Sequence, residues 1–182
     1  MTSTPATIIG IVASESIGGS TTKAVRSVLE AADGHTRTSL VELRTTDEED
    51  ALAAMAAADA IVFGSPVYRA GHSSLLKGFL ERTQRGRYGE TEAPLQGKAA
   101  AIVLTGASAH HYLAGDELRA VLSGFFAVQV LAPSLYFQAS DWESDALIAP
   151  AHQAAHAAGK ALVDLAYAVK SSPHLQGLQP LV

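Results

Sequence analysis

A chain of 182 residues, 48% apolar and 17% charged, is of single-domain size and long enough to build its own core. It has no cysteine, which excludes disulfide scaffolds, thiolate-held zinc, iron–sulfur clusters and thiol nucleophiles. A formal net charge of −5 argues against nucleic acid, which would want a basic face. No apolar run approaches the ~20 residues that span a bilayer. The first residues lack the basic-then-apolar pattern of a signal peptide, so a cytoplasmic protein without a membrane partner is expected.

The predicted elements alternate. Thr7 to Ala13 is a β-branched apolar run that reads as a buried strand. Ser20 to Ala32 places Ala24, Val25, Val28, Leu29 and Ala32 at helical spacing, with Gly34 as a stop. A strand over Thr38–Leu43 follows. Asp47–Asp50 then opens a helix with acids in its first turn, where the helix dipole favours them, and it runs to about Ala58. Asp59–Ser65 is the third strand, and Ser73 caps a helix carrying Leu75, Leu76, Phe79 and Leu80. Residues 85–96 are polar and turn-rich. Ala99–Thr105 is the fourth strand and Leu113–Phe125 a helix. Val128–Phe137 is the fifth strand, interrupted by Pro133 and therefore near an edge. Ala149–Val169 is the closing helix.

Strands that are near-continuous apolar runs, alternating with helices, specify a parallel sheet covered on both faces. The expectation is one three-layer α/β domain over residues 1–182, with residues 171–182 as a loose tail. In such sheets ligands bind beyond the C-terminal ends of the strands. The loops after the first, third and fourth strands therefore carry the argument.

The first loop, Ser14-Glu-Ser-Ile-Gly-Gly-Ser-Thr-Thr22, enters a helix directly. Hydroxyls, adjacent glycines and a positive helix end suit a phosphate. An N-cap at Ser20 in an ordinary loop is the plainer reading. The loop is neither a Walker A motif nor a dinucleotide fingerprint. In the third-strand loop, Pro66, Tyr68 and Gly71 set stiffened backbone beside an aromatic surface, which suits a planar heterocycle; a proline-stiffened surface turn is the alternative. The fourth-strand loop, Thr105-Gly-Ala-Ser-Ala-His-His-Tyr112, lets a ligand approach the backbone closely, although an ordinary strand-to-helix turn reads the same way. Three such loops at the three ligand-binding positions say more than any one.

The stretch Ser65-Pro-Val-Tyr-Arg-Ala-Gly-His-Ser-Ser-Leu-Leu-Lys-Gly-Phe-Leu80, with Leu95-Gln-Gly-Lys98 further on, resembles the NAD(P)H-dependent FMN reductases. It is most similar to the flavin reductases that serve two-component monooxygenases such as alkanesulfonate monooxygenase. The likeness runs from Ile8 to about Phe137. It implies a flavodoxin-like three-layer fold with a five-stranded parallel sheet in the order 2-1-3-4-5. It also implies FMN as cofactor, NADPH or NADH as hydride donor, and assembly as a homodimer or homotetramer, with a flavin-dependent monooxygenase as a partner.

By the same resemblance Ser14, Ser16, Ser20, Thr21 and Thr22 hold the FMN phosphate. Pro66, Val67, Tyr68 and Arg69 line the isoalloxazine with Ser73 nearby, and Thr105, Gly106, Ala107 and Ser108 bracket its other edge. The chain departs from the family pattern in four places. Ser16 stands where arginine is common, Gly19 where serine is, and Ala107 where a second glycine is. The fourth helix, near Gly115 and Asp116, lacks the extra tyrosine of some monooxygenase-linked relatives.

Hydride transfer from nicotinamide to flavin needs no protein acid or base at the moment of transfer, so no catalytic side chain is expected. Arg69, or Lys77, is a candidate for a nicotinamide phosphate. His110, His111 and His72 either border the pocket or sit in exposed turns. His152 and His156, four apart on the last helix, have metal-chelating spacing. Gln153 breaks the HExxH pattern and no acidic third ligand is obvious in sequence, which favours a solvated face. A receiver domain would need carboxylates where Ala13 and Ser14 stand. The alternatives to a flavin reductase are a non-enzymatic FMN carrier and a quinone or azo-type reductase with bound FMN. The apolar stripe Leu75, Leu76, Phe79 and Leu80 is expected to offer a self-association face.

Overall fold

The computed structural model describes residues 4–34 and 36–180. In chain order the elements are β1 (Thr7–Val12), α1 (Ser20–Ala32), β2 (Arg37–Glu42), α2 (Glu48–Ala57), β3 (Ala60–Tyr68), β4 (Gly71–His72), α3 (Ser74–Arg82), β5 (Ala99–Thr105), α4 (Ala114–Ala120), β6 (Gln129–Val130), β7 (Leu135–Phe137), β8 (Trp142–Glu143), β9 (Ala146–Leu147), α5 (Ala149–Ser171) and α6 (Pro173–Gln176). The sheet runs β2-β1-β3-β5, with β6 and β7 sharing the fifth position beside β5, all parallel. This is the flavodoxin-like order expected from the sequence.

Alternate residues of the central strands supply two cores. Ile9, Ile11, Ile61, Phe63, Ile102 and Leu104 face α2, α3 and α4. Ile8, Val12, Val62, Ala101 and Val103 face α1 and α5. Gly10 and Gly64 admit α1 on that second face. A Cβ at Gly10 would stand 2.5 Å from Val25 Cγ1, and one at Gly64 would stand 2.4 Å from Val25 Cγ2. Val25 thus seats in a hollow made by two neighbouring strands, which fixes where the N-terminus of α1 emerges above the sheet.

Several local features differ from the sequence reading, although the fifth strand is interrupted at Pro133 and lies at the sheet edge as expected, since proline has no N–H to give a ladder. Arg119 braces the break, donating to the carbonyls of Val130 and Leu131 and to Ser134 Oγ at 2.7 Å. The helix expected over 113–125 is α-helical only to Ala120 and closes as a π-turn over Val121–Phe125. The segment expected as a loose tail carries α6, capped by Ser172, and Arg87 donates to the Pro180 carbonyl; residues 181–182 lie outside the described residues. The α3 stripe is not a spare face. Leu76, Phe79 and Leu80 are buried in the chain's own core because α3 lies flat on the sheet, and exposed large apolar side chains sit instead at Tyr112, Leu113 and Phe125. Among the described residues no helix is long and apolar enough to cross a membrane.

Candidate functional site

The three loops beyond β1, β3 and β5 meet above the sheet around a cleft of about 460 Å³. Its walls are Ser14, Ser16, Ser20 and Thr21 from the first loop, Pro66, Val67 and Tyr68 from the second, and Thr105, Gly106 and Ala107 from the third; Phe137, Ala139 and Trp142 close the remaining side. A larger hollow lies between α2 and the 84–98 segment, but none of the three loops contributes to it.

α1 begins at the cleft with Gly19 in the cap position and no side-chain cap hydrogen bond. Ser20 is therefore the first helical residue and not the N-cap. The amides of the first turn have no carbonyl partner within the helix, and the cleft beside that turn is lined by Ser14, Ser16, Ser20 and Thr21. The contrast with α3 is direct, since Ser73 Oγ there accepts from Leu76 N. Ser14 Oγ accepts from Ser16 N at 3.2 Å, which folds the loop over its own start. Thr21 Oγ1 and Thr105 Oγ1 share a 2.7 Å hydrogen bond, tying the first loop to the third across the cleft floor.

Thr22, Arg69, Ser73 and Ser108 are not among the cleft walls. Thr22 is buried and gives its proton to Glu42 Oε1 at 2.6 Å; the same oxygen accepts from Gly18 N at 2.9 Å, so Glu42 at the end of β2 pins the loop from behind. Ser73 is buried between loops, donating to Ala13 O at 2.7 Å while its N–H meets Ser65 Oγ at 2.8 Å. It joins the first two loops from below. Arg69 sits at the tip of the β3–β4 hairpin beside Ala70, both in the left-handed region at φ 51° and 68°. That turn holds Tyr68 at the cleft edge with 57% of its surface exposed. Ser108 Oγ lies 3.1 Å from His110 Nδ1, and the Ser108 carbonyl accepts from Tyr136 Oη at 2.6 Å. Burial pushes the Tyr136 phenol up, which keeps it a donor.

Sequence reasoning missed Phe137, which ends the fifth strand, and Ala139 and Trp142, which follow it. Trp142 starts the β8–β9 hairpin, whose turn residue Asp145 pairs with Lys23 of α1. The signal available in sequence was the chain's single tryptophan, placed just beyond a strand end. The second nearby ion pair, Arg44 Nε to Glu15 Oε2 at 2.9 Å, leaves Arg44 beside the first loop, which has no cation of its own. His110 and His111 lie in a single turn of 3₁₀ helix beyond the cleft. His72 Nδ1 is buried with no hydrogen-bond partner, and desolvation lowers the His72 pKa while Glu117 partly opposes the shift.

The cleft is thus an uncharged trough. Its first-loop side offers hydroxyls and the uncapped first turn of α1, and its other walls include Tyr68, Trp142, Phe137 and the Thr105–Ala107 segment. A family model of NADPH-dependent FMN reductases matches residues 6–141, which contain all three loops. The chain belongs to this family. It is a flavoprotein oxidoreductase that draws electrons from NAD(P)H through FMN.

Solved structures give the same fold. The apo form of an NADH:FMN oxidoreductase superposes with a TM-score of 0.78 at 22% identity, covering 95% of this chain and 95% of that one. An oxidoreductase from Corynebacterium diphtheriae gives 0.75 at 22% identity, over 92% of this chain and 99% of that one. The NAD(P)H:(acceptor) oxidoreductase FerB of Paracoccus denitrificans gives 0.73 at 17% identity, over 90% and 98%. No curated protein sequence matches significantly.

Proposed function

We propose that the phosphate of FMN sits on the uncapped N-terminus of α1 among Ser14, Ser16, Ser20 and Thr21, and that its ring system lies between Tyr68 and the Thr105–Ala107 backbone. The observation that carries this reading is the free first turn of α1 opening into a cleft lined by hydroxyls. Donors of this kind recognise an anion without a formal positive charge. The residues present fit the group. Gly106 leaves backbone clear where a Cβ would strike Tyr136, and the Thr21–Thr105 bond closes the floor. Bound FMN supplies the two-electron acceptor that the nicotinamide reduces.

The chain's own part is positioning. Pro66 has no amide hydrogen and fixes its φ, which stiffens the end of β3 that carries Val67 and Tyr68. Tyr68 presents an aromatic face at the mouth, and the trough stays open above it for a second planar ligand. Both ligands share one cleft in this reading, because the trough stays open above Tyr68. Thr22, Ser73 and Ser108 act behind the cleft by holding its loops, and Arg69 at the hairpin tip is the candidate partner of a nicotinamide phosphate. The same proposal includes self-association as a homodimer or homotetramer through the surface carrying Tyr112, Leu113 and Phe125. It also includes a cytoplasmic setting with access to reduced nicotinamides, and delivery of electrons to a small acceptor or a flavin-dependent monooxygenase.

Steady-state oxidation of NADPH and NADH, with free FMN varied, tests the reading. Turnover that requires FMN is expected. Absence of nucleotide oxidation with either donor, together with no flavin binding, would overturn it.

A further inference from the structure

α1 and α5 run side by side on one face of the sheet and approach very closely. A Cβ at Gly159 would stand 2.2 Å from the Val28 carbonyl oxygen and 2.9 Å from Ala31 Cβ. Ala151 and Ala155 of α5 are buried in this seam, and the residues that follow each of them, His152 and His156, lie along its outer edge. Glu30 stands opposite on α1. One ligand-type atom from each of Glu30, His152 and His156 can be chosen so that all three lie within 4.8 Å of one another. The two imidazoles are 4.0 Å apart between centroids at an interplanar angle of 43°. His156 Nε2 is shielded from solvent and has no hydrogen-bond partner.

Nothing in the flavin chemistry uses these groups, and the fold sets them apart from the cleft. The chemistry of the set is specific all the same. Two imidazoles four residues apart on one helix, with a carboxylate from a closely packed neighbour, give three ligands of the type that binds zinc. Ligand atoms about a tetrahedral ion with bonds of ~2.1 Å are ~3.4 Å apart. Side-chain rotation of about 1 Å therefore closes the set without moving either helix. Glu30 is exposed, which leaves the remaining coordination position to water. Imidazole nitrogen favours late first-row divalent ions over Mg²⁺ and Ca²⁺, which demand oxygen.

We propose that Glu30, His152 and His156 form a binding site for a late first-row divalent cation, with Zn²⁺ as the reference ion, that clamps α1 to α5. The two tilted imidazoles acquire a common centre, and Glu30 ties that centre to α1. Because α1 starts at the flavin phosphate loop and ends at this clamp, a bound ion stiffens the helix that carries the loop.

The test is Zn²⁺ titration of the metal-stripped full chain by calorimetry, alongside His152→Ala, Glu30→Gln and His156→Ala. Circular dichroism establishes that each variant is folded. Saturable binding at one site per chain is expected, with a rise in melting temperature, no corresponding binding of Mg²⁺, and a loss of ~10–100-fold in affinity in each variant, at least the cost of losing an outer-shell partner of a metal ligand. Absence of saturable Zn²⁺ binding would overturn the proposal. So would equal binding by wild type and by the His152→Ala and Glu30→Gln variants, which places the ion on other histidines. His152 and Glu30 belong to no buried core, so these two variants keep the test open even if His156→Ala fails to fold.

Discussion

Gly106→Ala probes how the third loop of the cleft is held. A Cβ there would stand 2.1 Å from Tyr136 Oη, 2.9 Å from Cζ and 3.3 Å from Cε2. Contact distances of ~3.5–4.0 Å are comfortable for such atoms, so the tip of the ring must retreat by more than about 1 Å. The ring is rigid and its hydroxyl is tethered to the Ser108 carbonyl at 2.6 Å, so retreat breaks that bond. Loss of the bond costs ~0.5–1.5 kcal/mol, and forcing the ring into an already packed setting adds ~1–3 kcal/mol. We expect a total of ~2–4 kcal/mol, roughly 4–16 °C in melting temperature for a chain of this size.

Urea unfolding followed by circular dichroism measures the cost, and FMN titration of the same protein should show weaker binding because residues 106–108 lose their anchor. In a Tyr136→Ala background, which removes the obstacle, the further change Gly106→Ala should be nearly neutral. If Gly106→Ala is within ~0.5 kcal/mol of wild type, the range of an ordinary surface change, and binds FMN normally, then Tyr136 does not brace the loop and the expectation is refuted.

Lys98→Met should destabilise the protein by ~1–2 kcal/mol, since Lys98 Nζ donates to the carbonyls of Ala56 and Ala58 at the C-terminal end of α2; equilibrium unfolding checks it. Stability should decline as pH falls below ~6.5. His72 has its pKa lowered in the fold by desolvation, so the unfolded chain takes up the proton first, while at higher pH neither state carries it. His72→Phe should flatten the part of that decline due to this residue, read as the urea midpoint at two pH values. Glu15→Gln removes a negative charge from the first loop and releases Arg44, both groups being more than half exposed. At ~0.3–1 kcal/mol for an exposed charge pair, FMN affinity should rise about two- to fivefold in low salt. The gain should shrink in high salt, and titration at two ionic strengths decides it.

What was legible in sequence follows from what is local. The strands of the sheet centre are buried on both faces and so read as unbroken apolar runs, and the ends of those runs located the three loops. The hidden parts depend on neighbours far apart in the chain. Thr22 looks like a phosphate ligand until Glu42 arrives from β2 to accept its hydrogen bond. Ser73 looks like a cap, and is one, but its hydroxyl also reaches across to Ala13. The two hairpins that aim Tyr68 and Trp142 turn on Arg69-Ala70 and Ser144-Asp145, left-handed pairs without the glycine that most clearly marks such turns. Leu76, Phe79 and Leu80 read as surplus apolar surface because helical spacing shows a face but not what covers it. Glu30 belongs to a different helix from the two histidines it faces, so only the packing of α1 on α5 brings them together.

The assignment of the phosphate to the free end of α1 is tested most directly by comparing FMN with riboflavin, which lacks the phosphate, on wild type and Ser20→Asp. Ser20 is exposed, lines the cleft and is the first residue of the helix. A carboxylate there suits the helix dipole by ~0.3–1 kcal/mol and should leave the fold intact, while it occupies the anion position. Wild type should bind FMN at least tenfold more tightly than riboflavin (about 1.4 kcal/mol), and Ser20→Asp should erase that preference with riboflavin binding little changed. Equal affinity of wild type for the two flavins, or a preference that survives Ser20→Asp, would contradict the account.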